Sequence, residues 1–481
     1  MKSHGHPAIW RRTAAVVLSF TLLFPPASSS IAAVAADTES ARIEEVMNLL
    51  QQNHVANPNP ERLADVAIQS MVQSLNDPYT VYFSAEELKK FEGSLQNNYV
   101  GVGIRVLEQP DGVYVSEVFD GPAQKAGMQV DDMITAVNGE PVTGLNIDEV
   151  TNKIIGPEGT PVSVTVQRGA QRVVLEMTRQ TIQLPVVTHK KFDPGIGYIR
   201  VTSFSSDADE LTAAQLAELK QSGINSLILD LRYNPGGIVD TAVNMARLFV
   251  KEGILIHTKD KDNVDHPVKF ADGTTQPFPV YILVNEYSAS ASEVLTGALQ
   301  DYNAAAKVIG MKTYGKGSVQ TLFPLTGGGA LKITIEEYLT PNMRKVNNVG
   351  IAPDIEVDGE VPQLVTALQQ AGIGKVSLVV DERGVKVNGI AVDDEMNVVR
   401  ENGVYIPSRV LSALLGGTIA WNEQAQAIDL AAAGAAHTFQ QATGDLLLKD
   451  GISYVNMANV SASFPQLQWS DNEGQLALTV S

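Results

Sequence analysis

Pro279-Val280-Tyr281-Ile282-Leu283-Val284-Asn285, with Ser288-Ala289-Ser290-Ala291-Ser292-Glu293 close behind it, is the stretch that decides the fold. An apolar run of strand length gives way to small residues and then resumes at helical spacing, with Val294, Leu295, Ala298 and Leu299. A strand that turns into a helix in this way puts a hydroxyl at a helix N-terminus. Unpaired backbone N–H groups and the positive end of the helix dipole there favour developing negative charge. The same position is where a serine ordinarily caps a helix. Alone, the stretch reads as a cap or as a nucleophile with its oxyanion site; the rest of the chain chooses.

Working outward, the strand–helix alternation continues across residues 181–360. Ile196–Val201 reads as a strand, Asp209–Gln221 as a helix and Ser226–Arg232 as a buried strand. Tyr233-Asn234-Pro235-Gly236-Gly237 then turns into a helix through Ala242, Ala246 and Phe249, and Lys307–Gly310 is a further strand. This predicts an α/β layer on a mostly parallel sheet. Residues 97–180 predict a compact β-rich module instead. It has a glycine-containing strand Tyr99–Val106, a strand at Gly112–Phe119, and a strand ending in the tight turn Asn138-Gly139. A helix from about Ile147 to Ile155 and a strand Val162–Arg168 complete it.

Residues 37–96 predict helices. Ile43, Val46, Leu49 and Leu50 form one apolar stripe, and Leu63, Val66, Ala67, Met71 and Leu75 form another. Asn57-Pro58-Asn59-Pro60 separates them, and Ser84-Ala85-Glu86-Glu87 starts a third helix with a capping-box pattern. Such a bundle buries little by itself; it is expected to pack on the α/β layer or on a second copy, which makes helix 39–55 a candidate homodimer contact. The tail, 375–481, carries a weak repeat. Asn402–Ile406 with Trp421 and Ala427–Leu430 answers to Asp450–Val455 with Trp469 and Leu476–Val480.

The totals set limits. A chain of 481 residues exceeds one core, and 44% apolar residues indicate a globular protein. A net charge of −19 argues against nucleic acid as a partner. The absence of cysteine excludes disulfides and thiolate chemistry. Residues 1–36 read as an export signal: Lys2, Arg11 and Arg12 precede an apolar run Thr13–Phe24, and Val34-Ala35-Ala36 offers a cleavage point. That run is short of the roughly 20 residues a spanning helix needs; uncleaved, it would be a short anchor. The protein is expected outside the cytoplasmic membrane or in the cell envelope.

A serine alcohol needs a base. Of the seven histidines, His4 and His6 lie in the signal, His54 and His437 lie outside the α/β layer, and His189, His257 and His266 stand in polar, loop-like surroundings. Gly-x-Ser-x-Gly is absent. Lys316, in Thr313-Tyr314-Gly315-Lys316-Gly317-Ser318-Val319-Gln320, is the better base. Its flanking glycines permit close backbone approach, and burial would leave the amine neutral. A surface lysine in a glycine-rich turn is the plain alternative. In an extended segment Lys316, Ser318 and Gln320 share a face, so Gln320 can hold the amine. The N–H of Ala291 and the turn Asn234–Gly237 are candidate oxyanion donors. No metal or other cofactor is called for.

In order along the chain, Asp230–Gly237, Ser288–Glu293, Thr313–Gln320 and Gly350-Ile351-Ala352-Pro353-Asp354-Ile355 follow a module with a Gly-Pro-Ala…Ala-Gly-Met…Asp-Asp…Val-Asn-Gly string. The module resembles a PDZ domain, and residues 40–358 together resemble the C-terminal processing peptidases (tail-specific proteases). The resemblance implies a serine endopeptidase with a Ser–Lys dyad on a core like the crotonase and Clp-protease folds. By motif position it makes Ser290 the nucleophile, Lys316 the general base and Gln320 the residue that orients the lysine. Gly236 or Gly237, with Ala291, would form the oxyanion hole. The PDZ resemblance implies that backbone N–H groups around Val100, Gly101, Val102 and Gly103 receive the carboxylate of an unstructured, apolar C-terminal tail. Val150 and Ile154 would line the pocket for its last side chain. Two departures stand out: Ile155 replaces the arginine usual before Gly-Pro-x-Gly-Thr, and Pro341–Lys345 lacks the usual Pro-Gly start. The first tail copy resembles the small module named after the N-terminal domain of copper amine oxidases, read here as a spacer or a cell-wall or partner-binding appendage. The organisation expected is 1–36 signal, 37–96 helices, 97–180 PDZ, 181–360 peptidase core and 375–481 tail module. Two rivals remain from the residues: a catalytically silent tail-binding scaffold, and a crotonase-like hydratase or thioesterase.

Overall fold

The computed structural model describes residues 38–95, 98–109, 111–392, 396–472 and 474–481; the expected export signal lies outside them. The α/β layer is centred on a six-stranded sheet. Its strands run in the order Val187–Phe192, Ile196–Val201, Ser226–Asp230, Val280–Val284, Lys307–Gly310 and Ile355–Glu356. Only the first pair is antiparallel. Ser226–Asp230 is buried along its whole length, as a central parallel strand covered on both faces must be. Leu227, Leu229 and Ile282 face a core made with the helices Ala208–Gln221, Val239–Arg247 and Ala291–Asp301. The alternate residues Ile228 and Leu283 face a second core with the helix Glu360–Gln370.

That second core is continuous with the tail. Leu364 and Leu368 of the Glu360–Gln370 helix belong to one cluster with Val376, Leu378, Ile406, Leu411 and Leu478. Gln369 donates to the carbonyls of Ala413 and Leu414, and Lys190 Nζ donates to the Asn388 carbonyl at 2.9 Å. The repeat is real: strand Tyr405–Pro407, helix Ser408–Leu414 and a Trp421 hairpin are matched by Ile452–Asn456, Met457–Ser463 and a Trp469 hairpin. The tail, expected as a spacer or a cell-wall or partner-binding appendage, packs as a covering layer on one face of the α/β sheet.

An antiparallel sheet that the strand–helix pattern did not announce flanks the layer. Ala330–Leu339 is its hub, pairing with Val81–Phe83, Gly253–Asp260 and Ser318–Pro324. Val81–Phe83 comes from the region expected to be helical, between the helices Pro60–Gln73 and Ala85–Leu95. The capping box at Ser84 forms as expected, with the Ser84 N–H donating to Glu87 Oε2 at 2.9 Å. In the Thr38–Asn53 helix, Ile43, Val46, Leu49 and Leu50 remain exposed.

The β-rich region forms a sheet in the order Ile104–Gln109, Gly112–Val118, Met133–Val137, Pro161–Arg168 and Gln171–Thr178, with the helix Ile147–Ile154 packed on its own core. The expected strand Tyr99–Val106 is broken in two. Asn98–Gly101 pairs with Gln180–Gln183 as a separate ladder, and the chain turns at Gly103 before Ile104 begins the main sheet. No helix among the described residues is long and apolar enough to cross a membrane.

Candidate active site

Ser290 sits where Val280–Val284 has ended and Ala291–Asp301 begins, with φ 53° and ψ −115°. A residue with a Cβ pays for that conformation, so its surroundings must impose it. They do. Ser288 Oγ donates to the Leu231 carbonyl at 2.8 Å, and Ser292 Oγ to the Asn234 carbonyl at 2.9 Å. The Ala289 N–H also donates to Asn234 O, at 3.0 Å. The serines on either side thus tie the elbow to the turn that follows Ser226–Asp230, and the middle one stands on the sharp bend. Such a strained strand-to-helix turn is how a nucleophilic serine is presented at the carboxyl edge of a sheet.

Glu293 connects this elbow to the lysine motif. Its buried carboxylate accepts from the N–H groups of Ser290 (2.9 Å), Gly315 (2.7 Å) and Lys316 (2.8 Å), and from Thr313 Oγ1 (2.6 Å). Burial still pushes its carboxyl above the usual range against those four donors. Tyr338 closes the same joint, its hydroxyl donating to the Lys316 carbonyl at 2.7 Å and lying 3.3 Å from that of Ser290. Sequence reading gave Glu293 no role. The signal was present, because Ser290-x-x-Glu293 has the spacing of a capping box.

Lys316 is 0% exposed and Ser290 2%. Desolvation, helped by the nearby Lys332 ammonium, lowers the Lys316 amine to about 7, while Glu293 and Asp77 pull the other way. A neutral amine is thus available near neutral pH. The flanking glycines are a steric requirement: a Cβ on Gly317 would lie 2.1 Å from the Asn347 N, and Gly315 has φ +90° with a Cβ position 3.0 Å from the Gly350 N. The Asn347-Asn348-Val349-Gly350 segment is what they accommodate. Gln320 Nε2 donates to Ser318 Oγ at 2.9 Å and to Thr334 Oγ1 at 3.2 Å, so Ser318 and Gln320 share a side as expected. Lys316 itself precedes the strand Ser318–Pro324.

Gly236 packs directly under the elbow. A Cβ there would stand 2.8 Å from both the Ala291 N and Ser290 Cβ, at φ +100°. Its N–H donates to Asn234 Oδ1 at 2.9 Å. Gly237 bridges to Phe204, which bonds Gly236 O and the Ile238 N–H; in a parallel bridge this turns the N–H of Gly237 itself away from Phe204. Among the described residues, His257 pairs with Asp265, His266 with Asp260, and His437 with Ser463, none of them a member of this cluster.

The tail-binding residues are arranged differently. Val100 and Gly101 stand opposite Thr181 and Gln180 in a strand pair, and the Val102 carbonyl accepts from the Ala123 N–H at 2.8 Å. Val150 and Ile154 are buried in the core of their own region and do not line an open pocket in this conformation. Ile104–Gln109 lies at the edge of its sheet, beside the Ile147–Ile154 helix. Ile155 is exposed, while the buried Arg179 ties the carbonyls of Lys153 and Ile154 to Thr160 and Pro161.

Comparison with known proteins gives the family. Residues 195–357 match peptidase family S41, residues 114–168 match the PDZ domain family, and residues 26–87 match the N-terminal domain of the activating protease CtpB. A probable CtpA-like serine protease of Staphylococcus aureus (strain MRSA252) is 34% identical over 363 residues, covering 74% of this chain and 73% of that protein. The corresponding protein of Staphylococcus epidermidis is 34% identical over 369 residues, covering 75% of each. The chain belongs to peptidase family S41. This S41 peptidase is a serine-type endopeptidase of the CtpA-like kind, with a Ser–Lys dyad and a PDZ region that reads C-terminal tails. A photosystem II D1 C-terminal processing protease is 28% identical over 67% of this chain and 94% of its own, at a TM-score of 0.41, too low to add to the assignment. The CtpB match falls on the N-terminal helices, and these matches give the likeness of the tail to a copper-amine-oxidase module no support.

Proposed function

We propose that Ser290 and Lys316 are the dyad of this peptidase, with Gln320 orienting the amine. The observation that carries the assignment is the Glu293 carboxylate, which holds the backbone N–H of both residues. Two motifs distant in sequence are thereby clamped to one buried group beside an amine that burial keeps neutral. In the reaction, Lys316 accepts the Ser290 proton as Oγ attacks the scissile carbonyl. The oxyanion is met by the N–H groups of Ala291 and Gly237, Gly236 being drawn to Asn234. On collapse the leaving amine takes the proton from the lysine ammonium. Water then releases the acyl group by the same steps in reverse.

The reading extends to the substrate. An unstructured, apolar C-terminal tail adds as a strand beside the open edge Ile104–Gln109, its carboxylate at the Val100–Gly103 loop, and Val150 and Ile154 form the floor once the helix shifts. Tail binding then favours an open arrangement of a site in which the nucleophile is otherwise closed off. The peptidase core is read as crotonase- and Clp-like, residues 1–36 as an export signal that places the enzyme in the cell envelope, and the exposed stripe of Thr38–Asn53 as a homodimer contact. The test is cleavage of an unfolded protein with an apolar C-terminus by wild type, Ser290→Ala and Lys316→Ala. Undiminished cleavage by either variant removes the assignment, and equal cleavage of a substrate whose C-terminus is amidated removes tail recognition.

A further inference from the structure

The water-side wall beside Lys316 is supplied by the N-terminal region. Asn76-Asp77-Pro78-Tyr79-Thr80 leads into the edge strand Val81–Phe83, in which Val81 stands opposite Lys332 and Phe83 opposite Ala330. The segment is held by three short bonds. Thr80 Oγ1 donates to Asp77 Oδ2 at 2.6 Å, the Tyr79 N–H donates to Asp77 Oδ1 at 3.0 Å, and the Thr334 N–H donates to Thr80 Oγ1 at 3.1 Å. Thr334 is also the residue that receives the Gln320 amide. The result is a Tyr79 ring whose centroid lies 4.7 Å from Lys316 Nζ. Outside it opens a cleft of about 640 Å³, lined by Asp77, Tyr79, Tyr314, Ser318 and Glu337 among others.

We propose that Tyr79 is a positioning residue for the general base: its ring closes the water side of the Lys316 amine and presents its face to the ammonium formed when Ser290 loses its proton. The inference rests on Lys316 being the base. A ring face attracts a desolvated cation, so the ring can exclude water without forbidding the charge that catalysis must create. Its face, not its hydroxyl, is what the amine meets; the hydroxyl bonds Tyr314. The other charged and titratable groups about the amine come from three elements. Glu293 comes from the nucleophile helix, Lys332 from the strand Ala330–Leu339, and Asp77 from the Tyr79 segment itself. Asp77 is partly buried, yet hydrogen bonds led by Thr80 and Thr334 hold its carboxyl below the usual range, so it keeps its charge. Removing the ring leaves those charges in place and admits water.

The test is the pH dependence of kcat/KM for the full chain carrying Tyr79→Phe or Tyr79→Ala, with thermal unfolding measured alongside. The position of the acid limb reports the base and does not depend on how much protein is folded. Tyr79→Phe should keep the limb in place. Tyr79→Ala should move it up by about one pH unit, a loss of about fivefold at pH 7 and about tenfold below pH 6 that is recovered by about pH 9. An unmoved limb in Tyr79→Ala, or a limb moved as far in Tyr79→Phe as in Tyr79→Ala, overturns the proposal. Lys316→Ala separates the two readings: activity surviving in that variant overturns the base assignment itself.

Discussion

The α/β layer and the β-rich region that precedes it handle their functional residues in opposite ways. In the layer, Ser290, Lys316 and Gly236 lie on turns beyond the ends of strands and Glu293 in the first turn of the helix that follows Ser290, and they converge because parallel strands deliver those ends to one edge. In the PDZ region, Val150 and Ile154 lie on a helix face whose apolar side chains also fill the core. A turn residue has no packing role to compete with chemistry. An apolar helix residue does, and here packing has claimed it.

The largest expected effect breaks only one side of this contrast. Ser290→Ala and Lys316→Ala should each lower kcat by about 10³-fold or more, while binding of an apolar tail peptide, followed by fluorescence anisotropy, stays as in wild type. A parallel loss of peptide binding would show that the two regions are not separable. Next comes Gly236→Ala. Its Cβ would press on the Ala289 carbonyl at 2.7 Å and on the Ala291 N at 2.8 Å, and the expected loss in kcat is about 10²-fold, the scale of a damaged oxyanion site. Turnover near that of wild type would mean that the turn yields freely.

Val150→Ala sharpens the other side. If Val150 is chiefly core, the substitution lowers unfolding stability by about 1–3 kcal/mol in urea, with kcat on a short tail-less peptide unchanged. Reduced tail affinity at unaltered stability would instead make it a pocket residue. The smallest effect concerns the lysine's own cost. Lys316 has a folded pKa of about 7 against an ordinary 10.5. Between those values the native state binds fewer protons than the unfolded one, so unfolding free energy rises with pH across that window. Lys316→Met should therefore stabilise the protein by about 1–3 kcal/mol near pH 7 and below, with the gain shrinking as pH rises towards 10. A gain that ignores pH would point to packing and not to a buried charge. By the same value, kcat/KM should rise as pH increases through about 7.

Much of this site could be read from residue order. The apolar run Pro279–Asn285 breaking into small residues predicted the strand–helix turn, and the glycines around Lys316 predicted close backbone approach; the structure has both. Glu293 was legible in principle from capping-box spacing, but nothing local says that its other oxygen reaches Thr313 and Gly315. Tyr79 was not legible at all. It lies in a region whose sequence reads as helices, and only pairing of Val81–Phe83 with Ala330–Leu339 carries it to the lysine. Tyr99–Val106 misread as one strand because β patterning does not reveal a change of sheet, which Gly103 permits with φ +86°.

Local chemistry, then, determined the element types, the α/β alternation, the elbow serine and the lysine between glycines, because each depends on neighbours within a few residues. Long-range packing decided the rest. It wrapped the tail over the far face of the sheet, brought an edge strand from the N-terminal region against Ala330–Leu339, and buried Lys316. The physical reason is that desolvation depends on everything that surrounds a charge, and no segment of sequence carries its own surroundings.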